Sequence, residues 1–243
     1  MSRPAQPSPA ETALAEARAL LADNRRGVAL ADERPLPVLF VPDPATGDIV
    51  LRLPRTALDA EQIVLNVPDE GDDALMLLLH VVGAADERGA PAAPDITARG
   101  VDEALIDRWR IVHGDPPAAP ARRDVKPELQ VYIRSALDTA RHQGRVYEGE
   151  LFAIRNRLAS DEPRLCKRAN ADRARLDRAI RAALGAHTEN ALCVSVDQRG
   201  ALFRTPLGII RAPFPSEAAG AQEAEGHLAA FLARGDAGVE GAR

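Results

Sequence analysis

A chain of 243 residues is long enough to bury a real core, as one large domain or two modest ones. Aromatic residues make up only 3% of it, so the core must be Leu, Val, Ile and Ala, and the clustered stacking rings of a single-strand nucleic-acid binder are missing. The net charge of −5 is uneven: residues 122–187 hold 15 Lys and Arg against 9 Asp and Glu, a basic middle between acidic flanks. Such a middle is a solvated helix face or a surface for an anionic ligand or acidic partner.

Residues 1–12 are polar and Pro-rich and read as a frayed tail. Leu14, Ala17, Leu20 and Leu21 then share one stripe of a helix over about 9–22, with Ser8 as its cap and Glu11 three positions on. Short apolar runs bounded by Pro, Gly and Asp follow at 28–30, 36–41 and 49–53, and they predict a β-meander. The spacing of Ala57, Ala60 and Val64 suggests a helical turn over 56–64, and 66–73 reads as a polar loop. The most apolar run, ALMLLLHVV at 74–82, predicts a buried central strand in which His80 is a hydrogen-bonded core residue. Residues 83–94 read as loop, 95–101 as strand, and 102–112 as a helix capped by Asp102.

Pro116, Pro117 and Pro120 force an extended connection over 114–122. Strands are expected at 129–133 and 144–154, the second carrying Glu148 and Glu150 on either side of Gly149. Leu176, Ile180 and Ala183 lie on one face of a helix over 169–184 that Gly185 ends. Three strands, 191–196, 201–205 and 208–211, are closed by Pro213 and Pro215 and followed by a helix over 217–233. The fold class expected is therefore α+β: a domain over 13–158, a small α-β-β-β-α module over 159–235, and a tail at 236–243.

Neither Cys166 nor Cys193 has CxxC spacing, no charged-then-apolar leader opens the chain, and no apolar run approaches the roughly 18 residues of a membrane span. A soluble cytoplasmic protein with reduced thiols is expected. Cys166 stands beside Lys167 and Arg168, cations that favour a thiolate, with no evident base. Dinucleotide, P-loop, nucleophile-elbow and zincin patterns do not occur.

The segments CKRANADRARLDRAIRAAL, VSVDQRGALFR and LGIIRAPFP are similar to the small domain that closes haem-utilisation proteins. The segments ARALLADNRRGVALA, LPVLFV, DIVLRL, ALMLLLHVV and DEALIDRWRIVHGDP resemble the part those proteins carry before it, an FMN-binding split barrel of the pyridoxamine 5′-phosphate oxidase type. The resemblance implies a split β-barrel with flanking helices, and a homodimer. It also implies FMN or haem as cofactor, with Arg52, Arg55 and Thr56 nearest the phosphate-binding region. The departures are as informative. The family's His-Thr-x-Asn pattern has Glu61-Gln62-Ile63-Val64 as its nearest counterpart. The small domain's His-bearing helix keeps Asn170 and Asp172 but has Arg168 and Arg173 in place of histidine, and arginine neither binds iron nor shuttles protons. For haem, His113, His142, His187 and His227 are the exposed-looking axial candidates. Two expectations follow: a flavin- or haem-binding protein, redox-active if it turns over, or a cofactor-free interaction protein that kept the scaffold. No catalytic residue is assigned; no metal site, nucleic-acid partner or membrane partner is expected, and a protein partner is open.

Overall fold

The computed structural model describes residues 8–31, 34–60, 62–68, 74–92, 100–116 and 128–240, the side chains of 237–240 excepted. Two compact units emerge, one of residues 1–110 with 114–154, the other of 111–113 with 155–243.

The first unit opens with helix α1 (Pro9–Asp23). Ser8 Oγ accepts the Glu11 N–H at 3.3 Å and the Glu11 carboxylate accepts the Ser8 N–H at 2.6 Å, a reciprocal cap. Strands β1 (Arg26–Ala31), β2 (Arg34–Pro42), β3 (Ile49–Pro54), β4 (Ile63–Val67), β5 (Leu75–Ala85) and β6 (Gln130–His142) follow. All pairings are antiparallel in the order β3-β2-β1-β4-β5-β6, and β6 pairs back onto β3, so the six close into a barrel. Strand β7 (Arg145–Glu148) extends the ladder along the outer half of β6. Closure removes the sheet edges. The interior is aliphatic, with Phe40, Ile49, Leu51, Leu65, Leu77 and Ile133 fully buried. Helix α2 (Glu103–His113), capped by Asp102, sets Trp109 edge-on to Tyr132 at 5.6 Å.

Several expectations are corrected in this unit. The 56–64 segment is a short 3-10 turn at Arg55–Asp59, and Val64 belongs to β4, because its alternation with buried Ile63 and Leu65 outweighs the helical spacing. Strand β5 runs on through Gly83 to Ala85, and β6 is far longer than 129–133 because it serves β3, β5 and β7 at once. The strand expected to 154 stops at Glu148 and gives way to a 3-10 turn, Gly149–Phe152. Most of the strand expected at 95–101 lies outside the described residues.

In the second unit the helix expected over 169–184 is two helices, α3 (Glu162–Ala169) and α4 (Arg173–Leu184). Asn170 leaves the first helix to bond a strand, and Asp172 caps the second by accepting the Arg175 N–H at 2.9 Å. Gly185 ends α4 at φ 67°, as read from the sequence. Strands β8 (Leu192–Asp197), β9 (Gly200–Thr205) and β10 (Gly208–Pro213) form an open sheet in the order β10-β9-β8. Helix α5 (Ala221–Glu240) starts later than expected. Phe203 of the sheet stacks on Phe231 of this helix at 5.3 Å. The chain is thus a split barrel with flanking helices followed by a module in which two helices, not the expected one, precede three strands and a last helix.

Candidate functional site

The strand ALMLLLHVV is core and surface at once. Leu75, Leu77 and Leu79 point into the barrel, while Met76, Leu78, His80 and Val82 fall on the other phase and reach the outside. The register carries this outward phase across the sheet. Pro37, Val28, Asn66 and Met76 form one cross-strand row, and Pro35, Leu30, Val64 and Leu78 the next. Val28, Leu39 and Met76 are 38, 40 and 41% exposed, so this is an uncovered apolar face of the barrel unit. A shallow recess of about 300 Å³ on it is lined by Arg26, Val28, Pro37, Leu39 and Pro68.

His80 stands on that face, and its expected place in the core is corrected: its side chain is 45% exposed. Its Nδ1 lies 2.7 Å from Asp138 Oδ1. The partner is delivered by a bulge. Leu78 pairs with Thr139 and Leu79 with Leu137, so Asp138 is the extra residue of β6 and turns outward beside His80. Gly149 holds this irregularity in place, since a Cβ there would run into the carbonyl oxygens of Leu137 and Asp138. With Nδ1 occupied by a carboxylate, Nε2 is the free ring nitrogen, and among the described residues it has no hydrogen-bond partner. A carboxylate-oriented imidazole is the arrangement in which a histidine ligates a metal. Arg141, opposite Met76 at the edge of the same face, is exposed and has no ion-pair partner among the described residues.

Of the residues expected near a flavin phosphate, Arg52 and Thr56 are engaged by acids and Arg55 is exposed. Arg52 is held by Glu87 at 2.7 Å. Thr56 donates its hydroxyl to Glu128 at 2.7 Å and lines an open pocket of about 340 Å³ with Arg34, Asp59 and Glu128. Arg52 and Arg55 are not in its lining, whose charged side chains among the described residues are Arg34, Asp59 and Glu128. Arg55 is exposed, and its backbone N–H bonds Leu129 O at 2.8 Å. Of the four histidines expected as axial candidates, His142 is 1% exposed, because it falls on the inward phase of β6. His227 is partly covered by Phe214 at 5.0 Å, while His187 is exposed and His113 ends α2. Arg168 and Arg173, which replace the family's histidines, fasten the module: Arg168 pairs with Glu225, and Arg173 donates to Ala191 O at 3.0 Å. Glu61 of the 61–64 counterpart lies outside the described residues. Among the described residues no three His, Cys, Asp or Glu side chains gather as a metal cage. No helix among them is long and apolar enough to cross a membrane.

The His80–Asp138 pair was missed because the strand is apolar on both phases, which hides its period of two. The available signal was that Met76 and His80 share one phase of an otherwise all-leucine run, with a lone acid in the apolar strand beyond Ile133.

No family model and no curated protein matches the chain. Among solved structures it is similar to a protein of unknown function from Agrobacterium tumefaciens, at 17% identity and TM-score 0.63, covering 96% of this chain and 100% of that one. It also aligns with a haem-binding protein from Mycobacterium smegmatis at 20% identity and TM-score 0.36, over 96% and 99% of the two chains. The first likeness is one of fold.

Proposed function

We propose that this protein binds haem on the outer face of its barrel, with His80 as the axial ligand. The observation that carries this reading is the imidazole of His80, fixed through Nδ1 by Asp138 at 2.7 Å on a largely apolar sheet face. The donor set fits the group. His80 Nε2 would hold the iron, Met76, Leu78 and Val64 would offer apolar surface to the macrocycle, and Arg141 would offer a cation to a propionate. Haem brings an iron with redox and oxygen chemistry; the protein's part is to ligate it, orient the ligand and keep water from one side. A cofactor on a flat face needs a lid, and the same apolar rows fit a second copy in an isologous homodimer. FMN is supported less well, because Arg52 and Thr56 are engaged by Glu87 and Glu128; Arg55 is the cation left to meet its phosphate.

Haemin titration followed by the Soret band tests this. The protein should give a shifted band at micromolar haemin, His80→Ala should abolish it, and Asp138→Asn should weaken affinity about 10- to 100-fold. Met76→Arg should convert a dimer to a monomer in sedimentation. An unshifted spectrum with haemin, in a protein that still dimerises through Met76, would leave the face to protein association alone. An FMN spectrum weakened by Arg55→Ala would move the site to the strand β3 end.

A further inference from the structure

The chain's two cysteines, 27 positions apart, come together in the C-terminal module as free thiols with their sulfurs 3.8 Å apart. Cys166 lies near the end of α3 and Cys193 on β8. Asn170 holds the two elements in register, accepting the Cys193 N–H at 2.8 Å and donating to the Cys193 carbonyl at 2.9 Å. The thiols are not equivalent. Cys166 is partly buried and keeps some access to solvent, and Cys193 is 2% exposed.

We propose that Cys166 and Cys193 form an oxidisable dithiol: Cys166 is the thiol that attacks a hydroperoxide, and Cys193 is the thiol that closes the disulfide. Exposure gives Cys166 access to the oxidant. The hydrogen bond to Cys166, burial, and the negative charge of Glu162 together hold the Cys193 thiol well above its ordinary pKa. Cys193 therefore stays protonated, with its S–H directed at the Cys166 sulfur where peroxide arrives. The Cys166 thiolate attacks one peroxide oxygen, the O–O bond breaks, hydroxide leaves, and a sulfenic acid forms. The Cys193 sulfur then attacks the Cys166 sulfur and the S–O bond breaks. The hydroxyl leaves as water with the Cys193 proton. The two sulfurs lose two electrons and the peroxide gains them. The two sulfurs must close from 3.8 Å to a bond of about 2.05 Å. The product staples α3 to β8.

The test is hydrogen peroxide added to the full chain, read by thiol titration, intact mass and peptide mapping, independently of any cofactor. The expected result is loss of both thiols, loss of two hydrogens from the intact mass, and a peptide joining Cys166 to Cys193. Cys193→Ser should accumulate a sulfenic acid at Cys166 that dimedone traps. Cys166→Ser should slow oxidation of the remaining thiol by about tenfold or more. Both thiols surviving peroxide that oxidises glutathione, a disulfide between chains, or a Cys193 that reacts equally fast alone would each overturn the assignment. Mapping on the unaltered chain decides the case even if a variant folds poorly.

Discussion

The barrel and the C-terminal module treat backbone polarity in opposite ways. In the barrel every strand from β1 to β6 has two neighbours, so the ladder consumes the backbone donors and acceptors and buried side chains are free to be apolar. Among its buried charges is Arg134, held at the β2–β3 hairpin by Asp43 at 2.5 Å and Asp48 at 2.8 Å. The module has an open sheet, and β8 is an edge. Side chains finish that edge: Asn170 bonds both backbone groups of Cys193, Glu162 accepts the Val196 N–H at 3.2 Å, and Asn156 donates to Val196 O at 2.8 Å. Glu162 is buried for this purpose and also accepts the Ser195 hydroxyl at 2.5 Å. A closed sheet can leave its outer face apolar and available; an open one spends its polar side chains on itself.

The largest expected effect comes from removing the buried cation Arg134. Arg134→Ala leaves two acids facing each other in a site with little water and should cost about 3–5 kcal/mol in urea unfolding. Trp109, the chain's sole tryptophan, lies in the barrel unit and reports that transition by fluorescence. Asn170→Ala should cost about 1–3 kcal/mol, since it strands a donor and an acceptor on β8. Its loss should show in the module's far-UV transition and leave the Trp109 midpoint where it was. An equal shift in both signals would break the comparison between the units.

The smallest effect concerns α1. The N–H and hydroxyl of Ser8 hold the Glu11 carboxyl below its ordinary pKa. A carboxyl with a lowered folded pKa contributes stability above its ordinary value and loses it as pH falls through the lowered one. Acid titration should fray the first turn of α1 in that window by circular dichroism, and Glu11→Gln should remove the pH dependence.

Local signals carried much of the fold. The Ser8 and Glu11 cap, the strands beginning at Arg26, Arg34 and Ile49, the α2 cap at Asp102 and the Gly185 stop are all written within a few residues of where they act. The site was less legible. Leu78, His80 and Val82 look like core in a run with no polar phase, and nothing near them in the chain announces Asp138, 58 positions away.

The sequence by itself determined most of the element types and their order along the chain, because capping, turn chemistry and hydrophobic period depend on neighbours in the chain. Only the tertiary structure decided which phase of β5 faces out, that a bulge in β6 aims Asp138 at His80, and that Cys166 meets Cys193. Each depends on strand register and on contacts between distant segments, where one residue's slip reverses every side chain's face.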